Sequence, residues 1–233
     1  MWDGKEFARA CSSGESSWEL LGGFADAWAE PGIPRGFPLH SLRLGENALG
    51  RPLPSALRRW YIEFANHPCL SNSRQDQLRT PDRLQAQHGM VTFLVENQGV
   101  WRIAIRESDL GQDDPPVLWS YEWGPGAKWD LMNSRFSRFA LRWAVYSALF
   151  ESGFGAAGSS HQVDISKLFS ATTPIQFPEP PLLGGSVRFR AAEDVLIQEQ
   201  DFEKSGDCDY IMIYALSQSA CDWAKSLIKV DWD

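Results

Sequence analysis

Residues 91–105, VTFLVENQGVWRIAI, constrain the fold more than any other stretch of the chain. Apolar residues alternate along both sides of the polar connector 96–99, which contains a glycine. This period-two alternation predicts two antiparallel strands joined as a hairpin. Gly99 can supply the positive φ that a short hairpin loop needs without the steric penalty of a Cβ. We therefore expect an antiparallel sheet near the middle of the chain.

Two amphipathic patterns flank the hairpin. In residues 52–66, PLPSALRRWYIEFAN, apolar residues recur at helical spacing and predict a helix that buries Trp60. In residues 134–150, SRFSRFALRWAVYSALF, an aromatic stripe that includes Phe139 predicts a second helix. We expect one core that contains Trp60, Phe93, Ile103, Phe139 and Trp143.

Further strands and helices are predicted on both sides of this region. They are a helix at 16–30, a strand at 117–123, short strands at 186–190, 194–198 and 210–216, and a helix at 217–230. Strands that follow one another without regular alternation with helices indicate an α+β fold. We expect a mainly antiparallel sheet of about five to six strands, with helices packed largely on one face. Residues 1–40 would form an N-terminal helical extension and linker, and residues 41–233 a single domain.

Composition restricts the classes of partner. The net charge of −8 argues against nucleic acid as a partner, because a nucleic-acid-binding face must be basic. No apolar run approaches the ~20 residues of a membrane span, and the N-terminus lacks the features of a signal peptide. We therefore expect a cytoplasmic protein with no membrane partner. The four cysteines form no CxxC pair and are expected to be reduced and mostly buried.

Acidic residues concentrate in two stretches. Residues 107–130 carry six acidic side chains against one lysine, and residues 193–209 carry seven against one. Both could be ordinary solvated loops, or they could attract a basic protein partner by electrostatic steering. Asp113, Asp114 and Glu122 are expected to be exposed and dispensable for folding. Trp119 and Trp123 could be aromatic anchors beside this charge, although we favour the packing of both in the core.

Motifs for catalysis or metal binding are weak. GFGAAG at 153–158 matches GxGxxG, but a strong helical pattern precedes it, so we interpret it as a helix terminus and loop. His67 and Cys69 lack further ligands nearby, as do His161 and Asp164. The adjacent carboxylates Asp113 and Asp114 could serve acid–base chemistry or a cation, but are more often simply exposed. We expect no enzymatic activity, no cofactor and no metal.

Four segments in order resemble the SUKH superfamily, which includes bacterial toxin-immunity proteins and a fungal regulator of cell-wall synthesis. They are LGRPLPSALRRWYIEFAN, VTFLVENQGVWRIAI, DDPPVLWSYEW and SRFSRFALRWAVYSAL. The resemblance lies in the ordered set rather than in any one motif. It covers about residues 42–150, is loose towards the C-terminus and excludes residues 1–40.

The resemblance implies an α+β domain that works by binding another protein. In bacteria that partner is typically a toxin, often a nuclease, and such toxins are commonly basic because they approach phosphates. The expected function is therefore an immunity protein that binds and neutralises a cognate basic toxin. A regulatory or scaffold domain of the same fold is the alternative, followed by an enzyme or small-ligand binder with an unrecognised site. The candidate partner-binding residues are Asp113, Asp114, Trp119, Glu122, Glu199, Asp201 and Glu203.

Overall fold

The structure is a computed structural model that describes residues 1–13, 16–71, 76–151, 154–159, 165–178, 187–200 and 210–228. Within these ranges, helices and two antiparallel sheets form an α+β fold, as expected. The helices are α1 (Gly4–Ser13), α2 (Ser17–Trp28), α3 (Leu39–Leu49), α4 (Ser55–Glu63), α5 (Pro68–Ser71), α6 (Phe136–Glu151), α7 (Ser166–Ala171) and α8 (Gln218–Ser226). The strands are β1 (Gln77–Leu78), β2 (Ala86–Gln87), β3 (Met90–Val95), β4 (Arg102–Arg106), β5 (Val117–Ser120), β6 (Asp130–Asn133), β7 (Phe154–Ser159), β8 (Thr173–Ile175), β9 (Val187–Ala192), β10 (Val195–Gln200) and β11 (Tyr210–Ala215).

The chain divides into two compact units. The central unit is Ala29–Phe150, and the terminal unit combines Met1–Trp28 with Glu151–Asp233. This differs from the division at residue 40 that we expected from the sequence. The N-terminal segment belongs with the second sheet because long-range contacts hold it there: the Trp2 backbone N–H donates to an Asp194 carboxylate oxygen over 2.6 Å. Such contacts leave no periodic signal in the sequence.

The first sheet lies in the central unit and has the order β1-β3-β4-β5-β6, with β2 also paired to β3. Strands β3 and β4 form the predicted hairpin, and Gly99 has the expected positive φ of 76°. The Glu96 carboxylate accepts hydrogen bonds from the N–H groups of Gln98 and Val100, at 2.8 and 3.0 Å. The polar connector therefore shapes the turn.

A β-bulge interrupts the predicted alternation in β3. The register shifts between Thr92 and Leu94, and Phe93 and Leu94 are both fully buried. A bulge places two residues of one strand opposite one residue of its neighbour, so it resets which side chains face the core. The sequence predicts this strand and its core residue Phe93, but not the change of face.

The core of the central unit is aromatic. Trp60, Phe93, Ile103, Phe139 and Trp143 are all fully buried, which confirms the expected burial of these residues. Trp60 of α4 contacts the rings of Phe93, Phe136 and Phe139 at centroid distances of 5.9, 5.5 and 6.2 Å. The side chains of α4 and α6 thus meet β3 on one face of the sheet.

The second sheet lies in the terminal unit and has the order β7-β11-β10-β9-β8. The strands and the last helix predicted after residue 185 are present as β9, β10, β11 and α8. Val195, Ile197 and Ile213 are buried in one cluster with Ala224 of α8. Four aromatic side chains of the N-terminal segment form a separate cluster of ring contacts, and these are Trp2, Phe7, Phe24 and Trp28.

The glycine-rich stretch is a strand, so our interpretation of it as a helix terminus and loop is wrong. Phe154–Ser159 forms β7, an edge strand that pairs antiparallel with β11 and places Gly155 opposite Tyr214. A Cβ on Gly155 would lie 3.4 Å from the Tyr214 ring, so a small residue suits that position. His161, Asp164 and Cys208 lie outside the described residues.

Candidate protein-binding surface

The two adjacent aspartates of the central unit each bind the start of a helix. The carboxylate of Asp114 accepts hydrogen bonds from the backbone N–H and the hydroxyl of Ser137 in α6, at 2.8 and 2.6 Å. Asp113 accepts from the hydroxyl of Ser55 over 2.7 Å, and its carbonyl oxygen accepts from the Ala56 N–H over 2.9 Å at the start of α4. The first turn of a helix carries unsatisfied N–H groups and partial positive charge. These carboxylates therefore contribute to folding, which corrects our expectation that they are dispensable for it.

The role of Asp114 predicts a measurable loss of stability. Asp114→Ala should lower the free energy of unfolding by about 1–2 kcal/mol, as the loss of a helix cap commonly does. Glu107→Ala is the matched control, since Glu107 is an exposed acidic residue of the same stretch. Urea denaturation of both variants measures the difference. Equal stability of the two variants would contradict a capping role for Asp114.

Glu122 closes a loop that follows β5. Its carboxylate accepts from the Lys128 N–H over 2.8 Å. Ser120 reinforces the closure, because its hydroxyl donates to the Lys128 carbonyl oxygen over 2.6 Å and accepts from the Glu122 N–H over 2.9 Å. Gly124 and Gly126 allow the chain to turn, with φ of 89° and 88°. Glu122 is exposed as expected, but it also holds the two ends of this loop together.

The predicted strand at 117–123 ends at Ser120, and the aromatic residues beyond it are exposed. Tyr121 and Trp123 are 54% and 52% exposed, and Trp119 is partly buried. The rings of Tyr121 and Trp119 make an edge-to-face contact, with centroids 4.7 Å apart. We had favoured burial of both tryptophans in the core, which is wrong for Trp123. The reason is that the closed loop turns residues 121–129 away from the sheet ladder.

Arg102 lies under the same loop. Its guanidinium carbon is 4.7 Å from the Trp123 ring centroid and 4.6 Å from that of Trp129, so both indole rings lie within cation–π distance of it. The indole N–H of Trp123 donates to the Gly99 carbonyl oxygen over 2.9 Å, which ties the loop to the hairpin. We call Trp119, Tyr121, Trp123 and Trp129 the aromatic surface. Sequence reasoning missed Arg102, and the two tryptophans that flank the GPG loop were the only signal for it.

The second acidic stretch contributes less to an accessible surface than expected. Glu199 is only 3% exposed, and its oxygens lie 3.2 and 3.6 Å from nitrogens of Arg188 and Arg190. A partner cannot reach this carboxylate, so we correct its assignment as a partner-binding residue. Asp201 and Glu203 lie outside the described residues.

Burial governs the protonation of Glu199. Desolvation raises the pKa of this carboxyl above its ordinary value, while Arg190 and Arg188 oppose the rise. A raised native pKa means that the folded state holds the proton more tightly than the unfolded state does. This contribution to stability is present below the unfolded pKa and is lost as the pH rises through the folded pKa.

The expected result is a pH-dependent difference between the wild type and Glu199→Gln. From pH 4.5 upwards the wild type should lose unfolding free energy relative to the variant, by at most about 1.4 kcal/mol per pH unit. Urea denaturation at a series of pH values measures the difference. A wild type that gains stability relative to the variant would mean that the arginines outweigh burial.

The second acidic stretch, 193–209, is described as far as residue 200, and its first two residues line an open groove in the terminal unit. The groove has a volume of about 640 Å³ and includes Asp3, Glu193, Asp194 and Trp223 in its lining. Glu193 is exposed, whereas Asp194 is engaged by the Trp2 N–H. The groove is a second surface that could face a basic partner, although acidic side chains alone do not define a binding site.

The described ranges contain neither a cluster of metal-binding side chains nor a helix that could span a membrane. No group of three or more His, Cys, Asp or Glu side chains in them could hold a metal ion. None of the helices described is long and apolar enough to cross a membrane. Cys11, Cys69 and Cys221 are buried, as expected for three of the four cysteines.

The comparisons with known proteins give no relative for this chain. It matches no protein-family model, no curated protein and no solved structure. The resemblance to the SUKH superfamily therefore stays a prediction.

Proposed function

We propose that this protein is a non-catalytic protein-binding domain that acts as an immunity protein and neutralises a cognate basic toxin, for example a nuclease. The observation that carries the proposal is the exposure of Tyr121 and Trp123 on an ordered loop. Exposed large aromatic side chains beside an arginine match the composition of interface hot spots, which are rich in Trp, Tyr and Arg.

The hydrogen bonds that hold the 120–128 loop in place also support the proposal. The carboxylate of Glu122, the hydroxyl of Ser120 and the indole of Trp123 all make hydrogen bonds that fix the loop before a partner arrives. Binding to a preorganised surface costs less conformational entropy than ordering a loop on contact. An aromatic surface maintained in this way is more consistent with recognition than with a solvated turn.

The acidic residues of the 107–130 stretch favour a basic protein as the partner. Residues 107–130 carry six acidic side chains against one lysine, and four of these carboxylates make local hydrogen bonds. A negative field speeds the approach of a basic protein, while close aromatic contacts determine how slowly the complex dissociates. Acidic residues of this segment would therefore speed the approach of the partner, and its aromatic residues would slow the dissociation of the complex.

Co-expression tests the proposal. The protein encoded by the adjacent gene should kill cells when expressed alone and be neutralised when this chain is present, with a stoichiometric complex recovered. A Tyr121→Ala/Trp123→Ala variant should lose protection and still fold. Recovery of a complex with a non-toxic partner would favour the regulatory or scaffold alternative. Cell death that this chain does not prevent would contradict immunity.

A further inference from the structure

Arg102 is a buried cation that contacts two tryptophan rings. The residue is 8% exposed, and the rings of Trp123 and Trp129 lie within 4.7 Å of its guanidinium carbon. Contacts of this kind attract a guanidinium to the rings by the cation–π interaction. The N–H groups point outwards in the plane of the group, so only its edge is available for hydrogen bonds.

The edge of Arg102 has no partner within the described part of the chain. Its Nε is buried without a hydrogen-bond acceptor, and none of the ion pairs among the described residues includes Arg102. Burial lowers the pKa of Arg102, because removal from water disfavours the cation. Buried charges in proteins are normally paired, so an unpaired guanidinium beside a cavity indicates an absent anion.

A small cavity adjoins this guanidinium. Its volume is about 80 Å³, and its lining includes His88, Arg102, Ala127 and Trp129. At roughly 30 Å³ per water in the liquid, the space suits a single carboxylate rather than a whole metabolite. His88 has a φ of 53°, which is uncommon for a residue other than glycine, in the tight turn between β2 and β3. That turn places a second hydrogen-bonding side chain at the cavity.

We propose that the Arg102 cavity binds a carboxylate, supplied by an acidic side chain of the protein partner; the identity of the supplier rests on the proposed function. A planar carboxylate can accept two parallel hydrogen bonds from the edge of a guanidinium. Phosphate fits less well, since Arg102 is the one permanent cation among the lining residues and the surrounding stretch 107–130 is acidic. The exposed Trp123 beside Arg102 would contact the neighbouring residues of the partner.

The first test uses the chain alone. Sodium acetate, and separately inorganic phosphate, is titrated at constant ionic strength while the Arg Nε–H and Trp indole N–H resonances are followed by NMR. Acetate should give a saturable shift of the Arg102, Trp123 and Trp129 signals in the millimolar range. A shift that grows linearly with salt, or saturation by phosphate but not by acetate, would overturn the carboxylate site.

Three variants locate the binding. Arg102→Met removes the guanidinium, and Ala127→Leu fills the cavity while leaving Arg102 in place. Both should abolish the acetate shift, and the second variant keeps the test decisive if the first does not fold. Arg106→Gln is the matched control, since it removes a cation from the same strand that is 50% exposed. Acetate binding that survives Ala127→Leu would overturn the assignment to this cavity.

The second test uses the partner. Arg102→Met and Ala127→Leu should weaken its binding at least about 10-fold, and Arg106→Gln should not. Replacing the acidic residues of the partner one at a time by their amides should identify one change with the same effect. Unchanged partner affinity in a variant that no longer binds acetate would overturn the partner as the source of the carboxylate. If the wild type binds no partner, the proposed function fails, whereas the acetate titration still decides the site.

Discussion

Replacing Trp60 with alanine is expected to lower the free energy of unfolding of the central unit by about 3–5 kcal/mol. Trp60 is fully buried and contacts the rings of Tyr61, Phe93, Phe136 and Phe139. Truncation removes apolar surface from the core and also leaves a cavity, because rigid neighbouring rings cannot collapse fully into the space. Urea or thermal denaturation followed by circular dichroism measures the loss.

Two controls make this result specific. Ile62→Ala changes a 39% exposed residue of the same helix and should have a small effect. Trp60→Phe should lower the free energy of unfolding less than Trp60→Ala does. It retains a ring and removes an indole N–H that is buried without an acceptor in the described structure. A loss for Trp60→Ala no larger than that for Ile62→Ala would contradict the central position of Trp60 in the core.

Replacing Trp123 with alanine is expected to weaken partner binding by about 2 kcal/mol or more, or about 30-fold. The indole is half exposed on an ordered loop, so a partner can bury its remaining surface and exclude water from it. Tyr121→Ala should act in the same direction. Surface-based measurement of association and dissociation rates should show that the change lies mainly in dissociation.

Trp223→Ala is the matched control for this experiment. Trp223 is 40% exposed and lines the groove of the terminal unit, so the same type of side chain is removed from the competing surface. Normal binding by Trp223→Ala together with weak binding by Trp123→Ala assigns the interface to the aromatic surface. The reverse pattern would assign it to the acidic groove and contradict the proposed surface.

Neutralising the carboxylates of residues 107–130 does not test electrostatic steering of the partner alone, because some of these carboxylates also hold the structure. Asp114 holds the start of α6, and Glu122 holds the ends of the 120–128 loop. A combined change of Asp113, Asp114 and Glu122 would therefore alter the fold and the charge together. Exposed acidic residues of the same stretch without such bonds, such as Glu107 and Asp130, separate the two effects.

Local patterns were sufficient for the central hairpin, the two helices that flank it and much of the core. Alternation around Gly99 predicted the hairpin, and helical spacing predicted the burial of Trp60 and Trp143. These features depend on residues close together in the chain, and burial of one face imposes a period that can be seen in the sequence. Strands β9 and β10 were found in the same way.

Tertiary structure decided which polar residues are available to a partner. Asp114 meets Ser137 across 23 positions, and Glu199 meets arginines of a neighbouring strand. Side chains from separate segments also bring Arg102 against Trp123 and Trp129. A charged residue looks the same in the sequence whether it is solvated, caps a helix or lies buried against rings, because its environment comes from distant segments. The sequence by itself therefore determined the hairpin and the amphipathic helices that flank it, whereas the accessible aromatic surface and the unpaired arginine depend on how a closed loop folds over the sheet.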